Sequence, residues 1–128
     1  MLPVEHRIRK AQDFRAILRS GARAGTSTSV VVVRVTPLSA EESLRPVRWR
    51  AGLVVSKAVG NAVVRHRTAR RLRHICAEIV PPWTMDGHRL DIVVRALPPI
   101  AASDHETVTK EVRSGLKRAL KRAGYGAS

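Results

Sequence analysis

The sequence predicts an α+β fold, a single domain over residues 1–128 with a mixed, roughly four-stranded sheet packed with three helices. Three observations lead there. A chain of 128 residues has the length of one domain and can bury roughly two-thirds of its unfolded surface. Its 44% apolar content is ordinary for a folded core and argues against disorder. The hydrophobic pattern switches between helical and alternating periods in the order helix, strands, helix, strand, helix, with no internal repeat or low-complexity tract.

Arg7-Ile8-Arg9-Lys10 is a short basic lead-in. Gln12-Asp13 then opens a helical pattern with Phe14, Ile17 and Leu18 on one face. Gly21 reads as its C-terminal cap, a place that favours glycine because it tolerates positive φ. Residues 29–35 (SVVVVRV) are a β-branched run, apolar on both faces for most of its length. Such a strand is buried, or lies beneath something bound to its second face. Residues 37–46 hold two prolines, Ser39, Ser43 and Glu41-Glu42, and read as a connecting loop. In residues 47–55, Val47, Trp49, Ala51, Leu53 and Val55 point one way, Arg48 and Arg50 the other. That alternation predicts a hairpin partner for the first strand.

Asn61 is a good N-cap, and a helix can run from Ala62 to about Ile79 before Pro81-Pro82 stop it. At about 100° per residue, Val64, Thr68, Leu72, Ile75 and Ile79 share one stripe roughly 80° wide. His66, Arg67, Arg70, Arg71, Arg73 and His74 occupy the opposite arc. Asp86-Gly87 marks a turn and residues 89–95 (RLDIVVR) a further strand. Ser103-Asp104-His105-Glu106 has the S-x-x-E form of a capping box. The last helix would bury Val108, Val112, Gly115, Leu116 and Ala119 and expose Lys110, Arg113, Lys117, Lys121 and Arg122. Gly124 and Gly126 would end it.

The charge narrows the function. With 24 Lys+Arg against 10 Asp+Glu, the chain carries a formal +14, which points to an anionic partner, nucleic acid first. Between Ser43 and Ala77 there are nine Lys+Arg (Arg45, Arg48, Arg50, Lys57, Arg65, Arg67, Arg70, Arg71 and Arg73) and no acid. Like charges one turn apart repel by about a few tenths of a kcal/mol, so a solvated face normally mixes signs. A polyanion would supply the missing negative charge, and the guanidinium fork suits phosphate oxygens. The N–H groups at the start of this helix add a phosphate site.

Other classes fall away. No apolar run approaches the ~20 residues that span a bilayer, and the start does not read as a secretory signal. Cys76 is the single cysteine, excluding an internal disulfide and a cysteine zinc site, and the cytoplasm is the expected compartment. The five histidines lack metal spacing. Asp13, Asp86, Asp91 and Asp104 are scattered, and are expected to serve solubility or capping rather than catalysis. Helix-turn-helix, zinc-finger and zipper patterns do not occur. Four rings in the whole chain (Phe14, Trp49, Trp83, Tyr125) are too few for a base-stacking platform. What remains is a cationic helix beside a sheet, suited to the shape and backbone of a folded RNA.

Residues 55–73, VSKAVGNAVVRHRTARRLR, resemble the signature of the bacterial ribonuclease P protein subunit, a Gly-Asn-Ala turn followed by an Arg-Asn-Arg helix. The start, LPVEHRIRKAQDFRAILRSG at 2–21, is also similar to that family, and the resemblance spans essentially the whole chain. It implies a left-handed βαβ crossover and a partnership with a large catalytic RNA. That RNA would remove the 5′ leader of precursor tRNA, with Mg²⁺ held mainly by the RNA and none bound by the protein alone. No protein partner and no membrane are implied.

Carried over residue by residue, Asn61, Arg65, Arg67, Arg70 and Arg73 match positions that face the catalytic RNA, with His66 and Arg71 on the same basic helix. Phe14 matches the aromatic of a cleft that holds the single-stranded leader. Val30 and Val32 would line its floor, and Lys57 lies where it could reach leader phosphates. The sequence departs from the family at His66, in place of the central Asn, and at Ala69, in place of a basic residue. Leu18 and Val32 stand where rings are often present. The rival class is a small basic ribosomal protein, which would need no Phe14/Val30/Val32 surface.

Overall fold

The computed structural model describes residues 2–125, so Met1 and the expected stop at Gly126 lie outside the described residues. Its strands are β1 (Ala22–Gly25), β2 (Ser29–Pro37), β3 (Trp49–Val54) and β4 (His88–Ala96), and its helices α1 (Ala11–Ser20), α2 (Ala62–Ile79) and α3 (His105–Arg122). One mixed sheet has the order β1-β2-β4-β3. Both β1 and β4 run antiparallel to β2, and β3 runs parallel to β4. The parallel pair is joined through α2, since adjacent parallel strands need a crossover.

The hairpin expectation is corrected by this order. The partner that β2 gains through a tight turn is β1, with Gly25 opposite Val30 and Ala22 opposite Val33. Residues 49–54 do not pair with β2, since β4 lies between them. The β1 segment, ARAG, has low strand propensity and forms because Thr26 closes the turn: its backbone N–H donates to Ser29 O at 2.7 Å. The cap at Gly21 stands, but for another reason. Its φ is −76°; a Cβ there would lie 2.5 Å from Ile17 O and 2.7 Å from Val32 Cγ1, so close approach demands glycine. The capping box is also displaced. Asp104 is the N-cap of α3, accepting from Thr107 N–H at 2.7 Å, while Ser103 Oγ donates to Pro99 O.

The sheet has two unequal faces. Val31, Val33, Leu90, Ile92, Val94 and Ala51 form the larger core with Leu72, Ile75, Cys76 and Ile79 of α2 and Val108, Val112, Leu116 and Ala119 of α3. The expected buried faces of both helices are therefore present. Gly115 packs on β2, where a Cβ would stand 2.7 Å from Val31 Cγ2. On the opposite face a smaller cluster of Ile8, Ile17, Val32 and Val93 lies with half-buried Phe14, Leu18, Val30 and Val54. The lead-in segment covers the β3 edge: Ile8 N–H donates to Ala51 O at 3.0 Å, and the His6 ring stacks on Trp49 at 4.1 Å. Covering an edge removes a template for pairing with another chain.

Candidate nucleic-acid interface

The basic helix begins where expected. Asn61 is extended at φ −71°, ψ 178°, and its side chain accepts from Val64 N–H, satisfying one of the free donors of the first turn. Gly60 leaves room for this turn, since a Cβ would meet Val64 Cγ1 at 2.8 Å. Thr68, Leu72, Ile75, Cys76 and Ile79 are buried and fix the helix's rotation on the sheet. Burial pushes the Cys76 thiol up to about 12, so this residue is packing rather than chemistry.

That rotation turns His66, Arg67, Arg70 and His74 fully outward, while Arg65, Arg71 and Arg73 are half-buried. Arg71 Nη1 donates to Ser103 O at 2.9 Å, tying α2 to the start of α3. Among the described residues, ion pairs engage Arg48, Arg50 and Arg89, and none reaches an α2 arginine. Arg65 Nε is buried with no hydrogen-bond partner. The α2 face is therefore a set of uncompensated guanidinium groups, with Asn61, Arg65, His66, Arg67, Arg70, Arg71 and Arg73 all on one helix and its cap.

Among the hollows that adjoin this face, two reach beyond α2 to other elements. Arg7, Arg67, Arg70, Arg71, Arg73, His74 and His105 line a groove of about 710 Å³, in which the His74 and His105 rings are 6.1 Å apart. Arg65, His66 and Arg73 line a smaller one with Leu53, Val55 and Ala69. Arg7 and His105 were not among the expected site residues. They arrive from opposite ends of the chain, one through pairing at the β3 edge and one at the start of α3.

On the other face, α1 lies across the sheet. Phe14 packs over Gly52, where a Cβ would lie 2.5 Å from the Phe14 Cζ. Val32 is only 1% exposed, sealed beneath α1 with Ile17, so it supports the cleft from below. The accessible apolar surface is Phe14, Leu18, Val30 and Val54. Arg95, exposed and in register with both Val30 and Val54, adds a cation that the alternation of 89–95 could have supplied. Lys57 is exposed in the segment after β3.

The acids are less scattered than their spacing suggests. Asp91 is 2% exposed and accepts from Arg50 Nε at 2.9 Å and Nη2 at 3.0 Å, while Asp13 on α1 accepts from Arg50 Nη1 at 3.3 Å. This fork raises the Arg50 pKa, the hydrogen bonds to Asp91 being the largest cause. Asp91 is thus a structural ion-pair residue rather than a solubilising one. Asp104 caps α3 as one of the two expected uses, and hydrogen bonding from Thr107 holds its carboxyl below the ordinary value. Among the described residues, no three His, Cys, Asp or Glu side chains cluster as a metal site, and no helix is long and apolar enough to cross a membrane.

Residues 2–120 match the sequence model of a family described as Ribonuclease P. The chain is 45% identical over 121 residues to the ribonuclease P protein component of Rhodococcus jostii, covering 92% of this chain and 91% of that protein. It is 40% identical over 142 residues to the corresponding component of Nocardia farcinica, covering 100% and 89%. The solved RNase P protein of Staphylococcus aureus superposes with a TM-score of 0.65 at 26% identity, over 95% of this chain and 98% of that one.

Proposed function

The chain belongs to the ribonuclease P protein family, and from that premise we propose that it works as the cytoplasmic protein subunit of ribonuclease P. In this role it binds the catalytic RNA through α2 and the 5′ leader of precursor tRNA through the cleft beneath α1, and so assists leader removal. One observation carries the proposal: α2 presents arginines that have no ion-pair partner among the described residues, on the sheet face opposite an apolar cleft.

The chemistry follows from the side chains. Arg67 and Arg70 project freely and can grip phosphate oxygens through paired N–H donors; each contact releases condensed counterions, which makes affinity fall with salt. Asn61 holds the helix start, Arg65 and Arg73 extend the face towards β3, and His66 and Arg71 flank it. In the cleft, Phe14 offers a ring to one base, Val30 and Val54 an apolar floor, and Lys57 and Arg95 charge for the leader backbone. Base stacking is worth roughly 1–3 kcal/mol per base, and Leu18 forgoes it at the second position.

The donor set does not fit a magnesium centre: among the described residues no three His, Cys, Asp or Glu side chains gather as ligands, and Asp13, Asp91 and Asp104 are taken up in ion pairs and a cap. We therefore assign Mg²⁺ to the RNA and derive no step through it; the protein binds, orients and neutralises. Reconstitution with the catalytic RNA tests this. Precursor cleavage at low Mg²⁺ should require both components, and the isolated protein should cleave nothing at any Mg²⁺ concentration. Cleavage by RNA-free protein would sink the division of labour, and so would an RNA whose activity the protein leaves unchanged.

A further inference from the structure

The basic face of α2 leaves a second block of charge without a role. On α3, Lys110, Arg113, Lys117 and Lys121 are all exposed, and at 3.6 residues per turn they fall within an arc of about 80°. Eleven residues separate the first from the last, so the row is about 16 Å long. Among the described residues none of the four takes part in an ion pair. Glu111, on the same helix, lies about 80° outside this arc and is turned aside: Ser27 and Thr28 donate to it at 2.7 and 2.6 Å. Glu106 lies on the arc only at its N-terminal end, where the helix dipole favours an acid in any case.

The neighbouring cations of α3 show what a structural role looks like. Arg118 donates to Gly25 O at 2.9 Å and Arg122 to Arg23 O, so both brace β1. The outer row makes no such contact. Beyond Glu106, one turn before Lys110, no acid of α3 shares the arc, and a phosphate backbone complements a straight row of cations.

Position decides which RNA. Helices α2 and α3 pack on the same sheet face, Arg71 links them at Ser103, and the groove that holds Arg67, Arg70 and His74 also holds His105 of α3. The cleft beneath α1 opens on the other face. We propose that the outer face of α3 is a second docking surface for the large partner RNA, taking a backbone segment distinct from the one on α2. This rests on the reading of the chain as a ribonuclease P subunit. Arg7 and the groove then lie between two contacts rather than at the rim of one.

The test uses the complex with the large RNA. Lys110→Gln, Arg113→Gln, Lys117→Gln and Lys121→Gln, made together, should lower the slope of log affinity against log salt by up to about 3.6 units, at roughly 0.9 per lost duplex contact. The corresponding Lys→Arg set should keep the slope. Circular dichroism and thermal melts should show both sets folded, since the glutamine set removes only exposed like charges. An unchanged slope in the glutamine set, with Arg67→Gln/Arg70→Gln lowering it, overturns the α3 assignment and leaves the ribonuclease P reading standing. Unchanged slopes in both sets overturn both. Location is read by an iron chelate tethered at Lys117→Cys, selective because Cys76 is fully buried. It should cut the large RNA at nucleotides different from those cut from Arg70→Cys. Identical cuts, or cuts in precursor tRNA instead, overturn the proposal.

Discussion

Replacing Asp91 by asparagine keeps the side chain's shape and removes its charge, at a point where β3, β4 and α1 meet. The wild-type fork has contacts of 2.9 and 3.0 Å to Arg50, with side-chain exposures of 17% for Arg50 and 2% for Asp91. Breaking a fully buried pair costs about 3–5 kcal/mol, because the remaining charge is stranded. Here the strand end is partly wet, and Asp13 at 3.3 Å still faces the guanidinium, so Asp91→Asn should cost about 2–3 kcal/mol. For a chain of this size that lowers the Tm by roughly 6–12 °C. Urea unfolding followed by circular dichroism measures the loss at equilibrium. The same reasoning requires Arg50→Met/Asp91→Leu to be less destabilised than Asp91→Asn, since it removes both members of the buried pair, while Arg89, 3.5 Å from Asp91, keeps Glu42 and Asp13 is left at the surface. An Asp91→Asn protein within about 0.5 kcal/mol of wild type, or a double variant weaker than the single, would refute it.

Other tests are simpler. Gly115→Ala should destabilise by about 1–3 kcal/mol, although alanine is the better helix former, because its Cβ would enter Val31, which is fully buried and β-branched; a neutral or stabilised variant in urea would contradict the tight α3–β2 contact. Hydrogen bonds from the Thr28 and Ser27 hydroxyls hold the Glu111 carboxyl below its ordinary value. Its stabilisation is therefore complete above the ordinary carboxylate range and is lost as pH falls through the lowered value. Glu111→Gln should flatten the acid limb of a Tm-against-pH curve, and a limb that stays parallel to wild type would show that the Thr28–Glu111 contact is not used. With Phe14 as the only ring on the accessible cleft surface, cleavage assays should show weaker discrimination among leader sequences than in relatives with more rings there. Equal or stronger discrimination would count against that cleft.

The long amphipathic helices were legible because each repeats its pattern for five turns: α2 starts and stops at the expected residues, and the buried stripe of α3 is the expected one with Leu120 added. Strand pairing was not legible. The alternation at 49–54 says which side chains face the core but not which strand lies alongside, and the choice of β4 over β2 is made by the α2 crossover. Short β1 carries no β-branched signal at all. In the basic face, Arg67, Arg70, Arg71 and Arg73 followed from periodicity and Arg65 only from the family resemblance, whereas Arg7 and His105 join them only through the tertiary fold. Val32 shows the limit of a two-faced apolar strand: covering by α1 and covering by a ligand leave the same sequence, and it is α1 that seals this residue. Asp91 looked like one acid among several because its partner, Arg50, is 41 residues away.

The strand order also bears on how the chain is made. Every residue of β2 from Ser29 to Pro37 pairs with β4, between His88 and Ala96, so the central strand emerges from the ribosome long before its main neighbour exists. About 50 residues lie between the two segments, roughly 3–10 s of synthesis at common elongation rates. Throughout that interval a run of four consecutive valines has only the four-residue β1 and helix α1 to lean on, with one edge in a form prone to pair with other chains. The arginines at 23, 34, 45 and 48 surround it with like charge, the arrangement that keeps an unavoidable apolar strand from associating. Part of the positive charge of this protein thus acts before any RNA is bound, as a guard on the nascent chain.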